Sequence, residues 1–208
     1  GMPPGAMRNR VITDIFEPGS SIKPLLVAQA LDIGAISPDM RIDTGNGLMR
    51  VGRLTVRDVS RYGEVDLARM LHKSSNVGAV KIGLELGPEG VYNGYQRFGI
   101  GEPLYSGFPG ESTGVFRFWM DWGQIGTATA SYGYGLSLSA LHLVRAYAAL
   151  ANGGLMPHMR LTSAEAPVPP QRAVSRDAAD RVRRMLAGVV SIDGTGLRAA
   201  VQGYTVAG

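Results

Sequence analysis

The stretch Phe16-Glu17-Pro18-Gly19-Ser20-Ser21-Ile22-Lys23-Pro24 sets a hydroxyl and an amine three residues apart. Pro18-Gly19 is a turn pair, and Pro24 fits a helix only near its first turn, where amides have few carbonyl partners to lose. A helix is therefore expected to begin close to Ser20, stacking Ser20 and Lys23 on one face. A serine hydroxyl is inert at neutral pH without a base, so this spacing points to nucleophilic catalysis with Lys23 taking the proton. The run Leu25 to Ile33 is apolar nearly all round, interrupted strongly only by Gln29 and Asp32, and Gly34 is a natural stop. Such a helix belongs in the middle of a domain. Its N-terminus would give the pair a fixed position, little water and a positive dipole end.

A second group, Lys73-Ser74-Ser75-Asn76-Val77-Gly78, stands between two helical runs. Alone it reads as an N-cap, just as Ser-x-x-Lys alone reads as a capping serine and a surface lysine. Lys73 is a rival base beside Ser74, but a lysine one residue from it on a helix points to a different side. Tyr132-Gly133-Tyr134-Gly135 reads as a tight turn with packed aromatics. His72, His142 and His158 have no metal-ligand spacing, and the chain has no cysteine, which excludes disulfides and thiolate metal sites. No cofactor is expected.

The elements that must position these groups are mostly helical. Residues 1 to 15 read as an extended lead-in with a Pro3-Pro4-Gly5 turn. Leu48 to Val51 and Leu54 to Val56 suit a small hairpin. Asp66 is a plausible cap for a helix carrying Leu67, Met70 and Leu71. A helix bearing Val80 and Leu84 ends at Gly87-Pro88, and another runs from Glu89 to Phe98. Residues 99 to 121 form a long ordered loop, and Gln124 to Ser131 is helical. Ser139 caps the helix through Leu150, Ser175 opens the last long helix, and Tyr204 to Ala207 looks like the beginning of a strand.

The 208 residues suit one core, with a net charge of +4 carried mostly by scattered arginines. Arg181, Arg183 and Arg184 share their helix with Asp177 and Asp180, so a solvated face is favoured over nucleic-acid binding. No apolar run approaches the ~20 residues that cross a bilayer.

Ser-x-x-Lys opening a buried helix, followed by Ser-x-Asn between two helices, forms two of the three elements of penicillin-binding proteins and serine β-lactamases. The resemblance goes further. Met7 to Ser20 resembles the segment leading into the active serine of the class B penicillin-binding proteins of cell division, the septal peptidoglycan transpeptidases. Lys73 to Gly78, Gly107-Phe108-Pro109-Gly110-Glu111 and Ser131 to Leu136 resemble that family at matching places, so the similarity runs from about residue 7 onward.

The resemblance implies an α+β fold of the penicillin-binding-protein and serine β-lactamase kind. This chain, a partial transpeptidase domain, would hold the helical part and little of the central antiparallel sheet. Flanking strands, a membrane anchor and an N-terminal pedestal domain are expected outside residues 1–208. In the family a Lys-Thr/Ser-Gly triplet follows a segment like Gly203 to Gly208. Taken alone, the chain is expected to lack that motif and to be inactive. It further implies Ser20 as nucleophile, Lys23 as base, Ser74 as proton relay and Asn76 as orienting amide, with Ser75, Tyr134 and Gly135 contacting substrate. Peptidoglycan stem peptides, β-lactams and cell-division membrane proteins would be the partners, at the periplasmic face of the bacterial inner membrane. The rivals are a D,D-carboxypeptidase or β-lactam-hydrolysing enzyme, and a non-catalytic interaction module. No Glu-x-x-Leu-Asn pattern supports hydrolysis, and two retained motifs argue against a bare docking module.

Overall fold

The computed structural model describes residues 8–160, 162 and 165–208. Along the chain come α1 (Arg10–Thr13), β1 (Ile15–Phe16), a 3₁₀ turn (Gly19–Ile22), α2 (Lys23–Asp32), β2 (Arg41–Asp43), β3 (Leu48–Val51), β4 (Leu54–Arg57) and β5 (Glu64–Asp66). They are followed by α3 (Leu67–His72), α4 (Asn76–Arg97), α5 (Gln124–Ser131), β6 (Leu138–Ser139), α6 (Ala140–Ala151), β7 (Leu155–Met156), β8 (Gln171–Arg172) and α7 (Arg176–Ala187). Among the described residues the strands form only antiparallel pairs, β1 with β6, β2 with β5, β3 with β4 and β7 with β8. The α+β expectation, helical with little sheet, therefore describes the architecture.

Helix α2 is the axis of the core. From Lys23 to Ala30 every residue is buried, and the helix packs against both α4 and α7. Its two polar interruptions are anchors. Gln29 Oε1 accepts from Arg97 Nη1 at 3.2 Å, and Asp32 pairs with Arg97 at 3.0 Å while accepting from the Ser175 amide at 2.7 Å. A buried polar group on a central helix is tolerated when it is partnered in this way. Helix α5 comes so close to α4 that a Cβ on Gly83 would lie 1.8 Å from Ser131 Oγ.

Local signals explain most boundaries. The Asp66 carboxylate accepts from the Arg69 amide, and Ser175 accepts from the Ala178 amide, so both cap helices as expected. Helix α4 breaks at Gly87, where φ is 71°, immediately before Pro88. The β3–β4 hairpin pairs Val51 with Leu54 and sets Val51 and Val56 over a small apolar cluster with Val77, Val80 and Ala128. The 99–121 loop is ordered around Glu111, whose carboxylate accepts from the amides of Leu104, Tyr105 and Ser106 and from Ser106 Oγ at 2.5 Å. Burial works against its charge, but those bonds hold its pKa below the ordinary range.

Three expectations are corrected. The lead-in is not extended throughout. Asn9 accepts from the Val11 amide at 3.2 Å and starts α1, whereas the Pro3-Pro4-Gly5 turn lies outside the described residues. Ser139 precedes α6, but its hydroxyl bonds His142 Nδ1 at 2.8 Å instead of capping the helix. Tyr204 to Ala207 is not a strand, because no described segment pairs with it and a lone strand leaves its backbone groups unmatched.

Candidate active site

The turn carrying Ser20 is held from three directions. Ser21 Oγ donates to Pro18 O at 2.7 Å, Tyr147 Oη on α6 donates to Ser21 O at 2.9 Å, and the Gly19 amide donates to Gly133 O at 3.0 Å. Helix and turn are continuous here, with Gly19–Ile22 as 3₁₀ and the α-helix beginning at Lys23. Ser20 is exposed at the mouth of this turn, and Lys23 behind it is 1% exposed.

The lysine reaches across to the segment joining α3 and α4. Its Nζ lies 2.6 Å from Ser74 O, 3.1 Å from Ser74 Oγ and 2.7 Å from Asn76 Oδ1. Three acceptors match the three donors of an ammonium. Asn76 is oriented by its other end, with Nδ2 donating to Arg57 O at 2.8 Å. Ser74 sits at φ +54°, a left-handed conformation uncommon for a side-chain-bearing residue. The carbonyl and the hydroxyl of this residue both meet the lysine. Burial lowers the Lys23 pKa from 10.5 to about 8, with the Asp58 carboxylate pulling the other way.

Ser20, Lys23 and Ser74 line one hollow of about 200 Å³, together with Tyr147, Leu186, Val189 and Thr195. Burial raises the Tyr147 phenol to about 12, so it stays a neutral donor. A larger hollow of about 720 Å³ between Arg97, Arg145 and Gln171 holds no serine beside a lysine.

The remaining predicted residues stand behind or beside the hollow. Asn76 meets it through Lys23. Ser75 is 1% exposed, and its hydroxyl donates to Asp58 Oδ2 at 2.7 Å and accepts from the Gly78 amide at 2.9 Å. Its place is that of a helix cap. Tyr134 is 48% exposed, and the Gly135 amide donates to Glu17 Oε1 at 2.8 Å. Their turn abuts the Ser20 turn without lining the hollow. A Cβ on Gly133 would sit 2.0 Å from Gly19 O, so this turn is pressed against the backbone of the Ser20 turn.

Asp58 is the residue that sequence reasoning missed. Its Oδ1 accepts from the amides of Asn76 and Val77, and its Oδ2 from Ser75 Oγ. One carboxylate thus holds Ser75, Asn76 and Val77 together at the start of α4. Lys73, the rival base, points away, with Nζ 2.6 Å from Asp193 O. His72 and His158 bond backbone carbonyls, while His142 bonds Glu102 O and the Ser139 hydroxyl. No cluster of three or more potential metal ligands occurs among the described residues.

Comparison with known proteins agrees with this geometry. The family model described as the penicillin binding protein transpeptidase domain matches residues 2–208, and the chain belongs to that family. It is 41% identical over 201 residues to the probable peptidoglycan D,D-transpeptidase PenA of Neisseria flavescens, covering 96% of this chain and 49% of that protein. It is 37% identical over 207 residues to the peptidoglycan D,D-transpeptidase FtsI of Escherichia coli K12, covering 100% of this chain and 35% of that one. The transpeptidase domain of Burkholderia pseudomallei penicillin-binding protein 3 superposes with a TM-score of 0.91 at 42% identity, covering 96% of this chain and 61% of that structure. The chain therefore spans about half or less of the length of these curated relatives.

Proposed function

We propose that the protein is a peptidoglycan D,D-transpeptidase that crosslinks stem peptides during septal wall synthesis through an acyl-enzyme on Ser20. The observation that carries this reading is the convergence of Ser20, Lys23 and Ser74 on one hollow, with Asn76 fixing the lysine from behind. The names of the relatives support it.

In the first step Ser20 Oγ attacks the carbonyl between the two terminal D-alanines. The C–O ester bond forms, the C–N bond breaks, and the serine proton passes through Lys23 and Ser74 to the leaving amine. A neutral Lys23 fits this network. Two N–H groups serve the fixed acceptors Ser74 O and Asn76 Oδ1, leaving the lone pair to take a proton. The Ser20 amide at the start of the 3₁₀ turn is one oxyanion donor, a contribution of roughly 3 kcal/mol in related chemistry. In the second step an amine of a neighbouring stem peptide attacks the ester, the amide C–N bond forms as the ester C–O bond breaks, and the proton lost by the amine returns to Ser20 Oγ.

Hydrolysis instead of transfer needs a base to activate water on the acyl-enzyme. No Asp or Glu side chain lines the hollow among the described residues, which favours retention of the acyl group. In this reading Tyr134, half exposed beside the Ser20 turn, meets a bound peptide, while Ser75 and Gly135 hold their turns in shape. The setting is the periplasmic face of the bacterial inner membrane, with cell-division membrane proteins as partners. No helix among the described residues is long and apolar enough to cross a membrane.

The test is intact mass of the whole protein after incubation with a β-lactam, followed by peptide mapping. A stable adduct on the Ser20 peptide is expected. An unmodified protein, or an adduct on another residue, overturns the assignment.

A further inference from the structure

Lys73 is the one lysine beside the site that the proposed chemistry leaves unused, and its position is unusual. It directly precedes Ser74, yet its Nζ turns to the opposite side and donates to Asp193 O at 2.6 Å, with Asp193 Oδ1 at 3.8 Å. The lysine side chain is 22% exposed and that of Asp193 79%, so the contact anchors an outlying loop to a half-buried cation. That loop is tightly folded. The Gly194 amide bonds Ser191 O, the Gly196 amide bonds Val189 O at 2.9 Å, and a Cβ on Gly194 would lie 1.9 Å from Val189 O. Between those glycines stands Thr195, which with Val189 forms the wall of the hollow that Ser20 and Ser74 also line. The neighbouring residue reinforces the attachment, since His72 Nε2 lies 2.8 Å from Met185 O and a Cβ on Gly188 would meet its ring at 2.1 Å.

We infer that Lys73 is a positioning residue for the active site: its ammonium ties the Ser191–Gly196 loop to the Ser74 segment and so fixes the Thr195 wall against which an acyl donor is seated. The inference rests on the acyl-transfer reading for its kinetic consequence, but not for its structural one. The side chains of Lys23, Ser74 and Asn76 do not touch the tie, so its loss acts on seating of the donor before it acts on the chemical step. A charge-assisted hydrogen bond of this kind corresponds to about a tenfold change in an equilibrium.

The experiment compares whole protein carrying Lys73→Met, which keeps most of the aliphatic stem, with Lys73→Arg, which restores a cation. Hydrogen exchange over residues 191–196 is expected to quicken about tenfold in the Met variant and to return toward wild type in the Arg variant. Acylation by a fluorescent penicillin should show weaker initial binding by a similar factor, with the limiting acylation rate within about threefold of wild type. Lys73→Gln, which keeps a donor without charge, replaces Met if that variant melts early, and an intermediate exchange rate is expected. Unchanged exchange in the Met or Gln variant overturns the tie. Loss of the limiting rate with binding intact, unrescued by Arg, also overturns it, because Lys73 would then act on chemistry. Wild-type protein that fails to acylate counts against the transpeptidase reading alone, since exchange still decides the role of Lys73.

Discussion

Asp58 Oδ1 accepts the Asn76 amide at 2.5 Å, so a carboxylate on the coil after β4 fixes the residue that in turn fixes Lys23. The same group caps α4 through the Val77 amide and pulls the lysine pKa upward. Replacing Asp58 with Asn removes the charge and leaves at most part of the capping. A loss of about 1 to 2 kcal/mol in stability is expected by denaturant unfolding. Without the nearby anion the ammonium is less favoured, so the pH midpoint for acylation should move down. A midpoint that stays put or rises would show that Asp58 acts only on backbone geometry.

The pH dependence follows from burial of Lys23. The amine takes a proton only when neutral, and its folded pKa of about 8 lies below the unfolded 10.5. Acylation should therefore climb with pH through about 8, and two units below that midpoint it should be about a hundredfold slower. The stability sign is the same. Between the two pKa values the unfolded chain binds the extra proton, so Lys23 opposes folding fully below about 8 and that penalty fades as pH rises toward 10.5. An acylation profile flat from 6 to 9 in buffered β-lactam assays would exclude Lys23 as the base.

The candidate residues marked by type and spacing were legible in the sequence, and those that matter by placement were not. Ser20 with Lys23 and Ser74 with Asn76 announce themselves by residue type beside turn and helix signals. So do the Asp66 cap and the Gly87-Pro88 break, because caps and breakers act locally. Which partners the lysine takes is a tertiary matter: within one helix it neighbours Ser20, yet its donors go to Ser74 and Asn76. Asp58 gives no local signal, since a single aspartate in a coil reads the same whether or not an N-terminus arrives beside it. Ser75 was misleading for the converse reason. Its place inside Ser-Ser-Asn suggests contact with substrate, whereas helix geometry turns it inward to cap α4.

Ser74 carries both a strained backbone and the hydroxyl proposed as proton relay, and two substitutions separate them. Ser74→Ala keeps φ near +54° and removes the hydroxyl, while Ser74→Gly removes the hydroxyl and relieves a conformation that costs about 1 kcal/mol in an L-residue. Both should lower acylation by about 10²- to 10⁴-fold, the scale of one proton-transfer group. The Gly variant should nevertheless unfold at a higher temperature than the Ala variant. Equal melting points would mean that the strain is relaxed elsewhere, and acylation retained in Ala would remove Ser74 from the proton path.

Gly133 tests how rigidly the Ser20 turn is braced. Its φ is +90°, and an added methyl would lie 2.0 Å from Gly19 O and 2.6 Å from Gly19 Cα, neither of which can swing aside as a side chain can. Gly133→Ala must therefore push the Ser20 turn or the Tyr132–Gly135 turn away, breaking the bond from the Gly19 amide to Gly133 O. Overpacking against backbone should cost about 2 to 3 kcal/mol in unfolding free energy. A shift of Ser20 by about 1 Å relative to Lys23 and Ser74 should also slow acylation by about a hundredfold even in the fraction that stays folded. Gly135→Ala is the control, since its nearest contact is Thr129 Oγ1 at 3.6 Å and only its positive φ of 75° is strained. If both variants lose the same activity at equal stability, close contact with Gly19 is not what holds Ser20 in place.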